Sequence, residues 1–289
     1  MATRAAARLR KVRKLGAFDP RLNQHFLVGI ARAYAGAIIF ALPMLMTMEM
    51  WSLGFTMHRA QLSLLLVVTL PLLVGLSHYV GFERTFELKE DLVDALVAYA
   101  VGFTASWVIL TLLSIIDSTM SQDEIIGKVA LQAVPAAIGA LLAQSQLGQK
   151  EDEEEQQRDI GYFGILFLMG IGALFLALNL APTEEMILIA YRMSGWHAIL
   201  LAGASLLIMH GFVYAVNFSG AAEMPAGAPV WRVFLRYTVV GYVAALLISL
   251  FVLWAFGRTD GVDLHEVLTM TIVLGFPAAI GSAAARLIL

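Results

Sequence analysis

The chain of 289 residues contains no cysteine, which excludes disulfides, thiolate metal sites and cysteine nucleophiles. Charge is scarce as well: Asp, Glu, Lys and Arg make up 14% of the residues, against about 25% in a soluble domain. No HExxH, GxSxG or phosphate-binding loop occurs, so the sequence predicts a protein that is not an enzyme and carries no cofactor. Beyond the N-terminal segment, Lys and Arg form no basic face, which argues against nucleic acid as a partner.

What fills the chain instead is apolar. Hydrophobic residues account for 60% of it and the mean hydropathy is +0.79, so its main partner is the lipid bilayer. A spanning helix needs roughly 20 apolar residues. Eight such stretches occur, near 27–53, 62–82, 93–115, 125–145, 160–189, 197–218, 233–256 and 267–288. The predicted fold is all-α: a polytopic membrane protein of about eight transmembrane helices arranged as two parallel four-helix repeats.

Residues 1–23 hold Arg4, Arg8, Arg10, Lys11, Arg13, Lys14 and Arg21 and read as a retained cytosolic segment that hugs anionic headgroups. With that end inside, the inner connections carry Arg84, Lys89, Lys150, Arg158, Arg232 and Arg236, whereas the outer ones carry chiefly Arg59, Arg192 and Arg258. This asymmetry predicts that both termini lie in the cytosol.

The chain also resembles itself. Residues 24–82 slide onto 160–218 without a gap, superposing Gly36 on Gly172, Thr47 on Thr183, Glu49 on Glu185 and Gly75 on Gly211. The third helices match at Val101-Gly102 and Val240-Gly241. The fourth match at Glu124 and Glu266 and at the runs Pro135-Ala-Ala-Ile-Gly139 and Pro277-Ala-Ala-Ile-Gly281. Units of four helices enter and leave on the same side, so the repeats are parallel. Expected boundaries are 24–145 and 160–289, joined by an acidic cytosolic linker over 146–159 that contains Glu151, Asp152, Glu153, Glu154 and Glu155.

Ionisable groups within spanning segments are costly and therefore direct attention to function. Glu49 and Glu185 each close a long apolar run behind a proline, Pro43 or Pro182. Proline removes a backbone donor, so both helices are predicted to bend or break before the acid. Carbonyls freed there, with the carboxylate, are oxygen ligands of the kind hard cations prefer. Thr47 and Thr183 add hydroxyls if the helix is unwound. Glu124 and Glu266 open the fourth helices from the same outer side, where carboxylates attract cations but also suit a helix N-terminus, with Asp123 as a candidate cap.

Pro135 and Pro277 lie roughly 16 Å deeper than these two acids, either in tight helix crossings or at gate hinges. His78, His210 and Glu184 are candidate proton relays, although the two histidines fall out of register between the repeats. Met44, Met46, Met48 and Met50 suggest Cu(I), but alternate helical positions diverge, which favours packing.

The segments Leu42–Trp51, Pro71–Glu83 and Asp91–Phe103 resemble a bacterial family of integral membrane proteins of unknown function. The resemblance implies an inner-membrane location and supplies neither activity nor site residues. The residues themselves suggest a transporter or channel for small cations, with divalent ions such as Ca2+ slightly favoured and proton coupling available. Glu49 and Glu185 are its principal ion or metal site, and a homodimer would gather four repeats around one axis. The alternative is a membrane sensor or scaffold that recruits cytosolic partners, in which the glutamates only lock helices together.

Overall fold

The computed structural model describes residues 20–80, 88–147, 161–215 and 230–288. The basic N-terminal segment and the acidic linker therefore lie outside the described residues. The described residues contain helices and connections but no strand, and eight helices are long and apolar enough to cross a membrane.

In chain order, α1 (Pro20–Leu45) ends at an extended break and is followed by a short α2 (Met48–Thr56). Then come α3 (Arg59–Val80), α4 (Leu88–Leu112) and α5 (Gln122–Leu147). The second half repeats the order with α6 (Tyr162–Leu180), a short α7 (Glu184–Arg192) and α8 (Gly195–Ala215). After α8, α9 (Val230–Val233) passes through a π-helical turn (Phe234–Val239) into α10 (Val240–Ala255), and α11 (Leu264–Ile288) closes the chain. The stretches 27–53 and 160–189, expected as single spans, are thus each a long helix, a break and a short one.

Each half is organised around its last helix. In the first half α1, α4, α3 and α2 all pack on α5, and in the second α6, α8, α10 and α7 pack on α11. Because α5 is enclosed on nearly every side, its hydrophobicity cannot be confined to one stripe. Small residues make the closest approaches. A Cβ on Gly36 would stand 2.4 Å from the Gly139 carbonyl oxygen and 2.2 Å from the Ala143 Cβ. In the second half, a Cβ on Gly172 would meet the Gly281 oxygen at 2.2 Å and the Ala285 Cβ at 2.6 Å. The glycines that end the two PAAIG runs therefore form helix crossings, and α5 and α11 continue without interruption through Pro135 and Pro277.

Contacts between the halves are fewer and largely aromatic. Phe167 of α6 lies against Gly75 and packs its ring 5.5 Å from Tyr79, while Phe40 and Phe175 meet edge-to-face at 5.2 Å. Gln61 of α3 adds a polar link by donating to the Trp254 carbonyl at 3.0 Å. Trp196 and Trp254 near one membrane boundary, and Trp231 near the other, are exposed, as amphipathic rings at headgroup level are.

Candidate functional site

The two breaks place backbone at a depth where unpaired polar groups are expensive. Their height follows from the partner helix. Gln132 of α5 donates through Nε2 to the Met44 carbonyl at 2.9 Å, and from Gln122 to Gln132 α5 advances about 15 Å. The first break therefore lies well inside an apolar layer about 30 Å thick.

Pro43 sits in the last turn of α1 and cannot donate from its nitrogen. The chain leaves the helix at Met46, and Thr47 is extended with φ −100° and ψ 120°. Release of the backbone before each acid matches expectation. The freed carbonyls find donors within the bundle. Pro43 oxygen accepts from the Thr47 hydroxyl, Met44 oxygen from Gln132 and from Thr47 N–H, and Leu45 oxygen from the Trp51 indole at 2.8 Å. Each of these oxygens accepts from an internal donor, and Met44 oxygen accepts from two.

At the second break, Thr183 is also extended and its hydroxyl donates to Leu180 oxygen at 2.8 Å. Arg258, from the connection after α10, donates to Pro182 oxygen. A loop arginine thus does at the second break what a membrane-buried glutamine does at the first.

Glu49 enters the first turn of α2 and is half-buried, with Met50 beside it facing the core at 1% exposure. Glu184 and Glu185 open α7 and are both exposed. Glu124 does not stand alone: its Oε1 pairs with Lys128 Nζ at 2.7 Å. Lys128 is only 6% exposed; its ammonium also approaches Met120 Sδ at 3.5 Å and the Phe55 ring at 5.7 Å. The cap of α5 is Ser121, whose hydroxyl accepts from Glu124 N–H at 3.2 Å, rather than Asp123, whose carbonyl instead accepts from Arg59. Glu266 lies half-buried in the first turn of α11. Among the described residues, no three His, Asp or Glu side chains converge as a metal site. Met44 and Met50 are buried whereas Met46 and Met48 are exposed, so the methionines diverge as helical spacing requires.

Both candidate relay histidines meet the third helix of their own half at the opposite membrane boundary. His78 Nδ1 is 3.1 Å from Asp91 Oδ2, with Asp91 1% exposed, and neighbouring Ser77 donates to Asp94 at 3.1 Å. His210 Nδ1 is 3.1 Å from the Thr238 hydroxyl in the π-helical turn. Lys128, Gln132 and Asp91 went unnoticed as polar groups inside the bundle. Lys128 and Gln132 show in the sequence as a charged and an amide residue within a largely apolar helix, whereas Asp91 is one of several charged residues at the start of its helix.

A family model described as "Putative integral membrane protein (DUF2391)" matches residues 29–289. The chain belongs to that family. Comparison with curated proteins and with solved structures gave no match. Family membership extends over all eight spanning helices and supports an integral, multi-pass membrane protein, while its description assigns no chemistry to Glu49, Glu185 or the polar groups around them.

Proposed function

We propose that this membrane protein is a transporter or channel for small cations, with the acids beside its broken helices forming the pathway. The observation that carries this reading is the interrupted first helix of each half, which turns extended and then presents Glu49 or Glu185 in the first turn of the next helix. Irregular backbone at membrane depth is tolerated where it is buried in protein or lines a cavity, and interrupted helices bind ions and substrates in secondary transporters. In this reading the two halves are duplicated units lying parallel in a bacterial inner membrane. The termini and the acidic linker are cytosolic, and the short helices point outward. The Lys and Arg distribution supports that orientation.

Ion flux into proteoliposomes tests the assignment. The Glu49→Gln, Glu185→Gln double variant should lose at least about tenfold of the wild-type flux while remaining equally folded, because the carboxylates supply the attraction for the ion. Equal flux in the two proteins would remove both glutamates from the pathway. No flux of any ion in either protein would favour a sensor or scaffold.

A further inference from the structure

The face of α5 turned toward the first break carries Glu124, Lys128 and Gln132, spaced so that they stack on one side of the helix. Glu124 and Lys128 neutralise one another at 2.7 Å. One level deeper, Gln132 is 1% exposed and its amide assignment is determined by chemistry: only the NH2 group can donate to Met44 oxygen, which leaves Oε1 as the free acceptor beside the break. That Oε1 is buried with no hydrogen-bond partner. An acceptor left bare in an apolar interior is a standing cost that a bound donor or cation would remove. The corresponding face of α11 carries Glu266, Met270 and Leu274, with Met270 and Leu274 fully buried. The polar ladder therefore occurs in one half only.

Charge bookkeeping narrows the ligand. With Glu124 and Lys128 cancelling, Glu49 contributes one uncompensated negative charge beside the break, and Gln132 contributes a neutral oxygen. Ca2+ prefers six to eight oxygens, commonly from several carboxylates, and any divalent ion would approach a buried ammonium with half its charge unmatched. We propose that the first half alone holds the ion site, at the break between α1 and α2, with Gln132 Oε1 as its deep ligand and a small monovalent cation as its occupant. The second half supplies the matching scaffold. This inference rests on the cation reading above and replaces the sequence-based leaning toward divalent ions.

The test uses the full chain purified in detergent. Its thermal unfolding midpoint is followed against NaCl, KCl and CaCl2 at constant ionic strength, with choline chloride as the balancing salt, alongside flux of the same ions in proteoliposomes. Sodium or potassium should raise the wild-type midpoint saturably, as a ligand that binds only the folded state does. Gln132→Leu, which installs the residue found in the second half, should weaken the apparent affinity roughly tenfold or more. Lys128→Met, again the second-half residue, frees the Glu124 charge and should let Ca2+ compete with the monovalent ion.

An unchanged monovalent response in Gln132→Leu would overturn the proposal, as would wild-type protein stabilised by Ca2+ at lower concentration than by Na+ or K+. Because each variant is compared with itself without ion, altered intrinsic stability does not mask the result. If Gln132→Leu does not fold, the Lys128→Met selectivity decides. Loss of flux in the glutamate double variant with normal ion response in Gln132→Leu would refute this site while leaving the cation reading intact. Absence of any ion response or flux would refute both.

Discussion

The two halves have the same skeleton and different interiors. Each wraps its helices around a final hub helix, closes a glycine crossing at the PAAIG run, and breaks its first helix before an acid. Yet the first break is satisfied from within the bundle by Gln132, and the second from a loop by Arg258. Beside the first break stand a buried lysine and a bare amide oxygen; beside the corresponding face of α11 stand methionine and leucine. The helix crossings have the same form in both halves, where a Cβ on Gly36 or Gly172 would stand 2.4 or 2.2 Å from the facing glycine's carbonyl oxygen. Side chains at the breaks differ between the halves, and in both a break carbonyl finds a donor.

The sharpest way to break the comparison is at the feature the halves share. Gly139→Leu and Gly281→Leu each drive a side chain into the backbone of the partner helix, where the hub has no slack. Both should cost more than about 3 kcal/mol, seen as loss of folded protein in detergent or a large drop in unfolding midpoint. If one half tolerated its leucine and the other did not, the crossings would not be equivalent.

At the opposite boundary the halves are expected to differ. Asp91→Asn keeps the size of a nearly inaccessible side chain but removes the charge that faces His78. Thr238→Val removes only a neutral hydroxyl from His210. The His78 side chain is about half exposed, so water screens the pair and the loss should be about 1–2 kcal/mol, against about 1 kcal/mol for the threonine. Unfolding of the two single variants, each against wild type in the same buffer, measures the difference. Equal losses would mean that the acid acts through its shape rather than its charge.

Much of this architecture was legible in the chain. Eight apolar stretches, prolines ahead of Glu49 and Glu185, and the repeated small-residue runs rest on length, donor loss and sterics, which act locally. The polar interior was not legible. Lys128 stands near the start of its helix, where a lysine ordinarily reaches water; only the packing of Gly54 and Phe55 against it shows that this one is enclosed. Gln132 looks like any amide in an apolar run until Met44 oxygen is found opposite. A helix surrounded on every side has no amphipathic stripe to reveal which neighbour each residue will meet. The Glu124 and Lys128 pair, by contrast, follows the spacing of four that brings side chains together on a helix, and it could have been anticipated.

The smallest predicted effect concerns the connections that lead into the two hubs. In the second half the turn is made by Gly257 and Gly261, both at positive φ, where glycine meets no steric penalty. In the first half Ser114 takes a positive φ of 57° and Asp117 holds the turn by accepting from Thr119, from the backbone N–H at 2.7 Å and from the hydroxyl at 2.5 Å. The Thr119 side-chain hydrogen bond, followed by its backbone N–H, stabilises the ionised carboxylate and lowers the Asp117 pKa from 3.8. Because the folded-state value is the depressed one, the stabilisation is present above the unfolded value and disappears as pH falls through the folded value. Thr119→Ala should therefore raise the Asp117 pKa toward 3.8, measurable by carboxyl NMR on acid titration. Above that range the variant should lose part of the advantage that wild type holds, and well below it the two proteins should have the same pH dependence. A carboxyl that titrates identically in both would show that the backbone amide alone holds the turn, making the first connection as independent of side chains as the glycine-built one it is compared with.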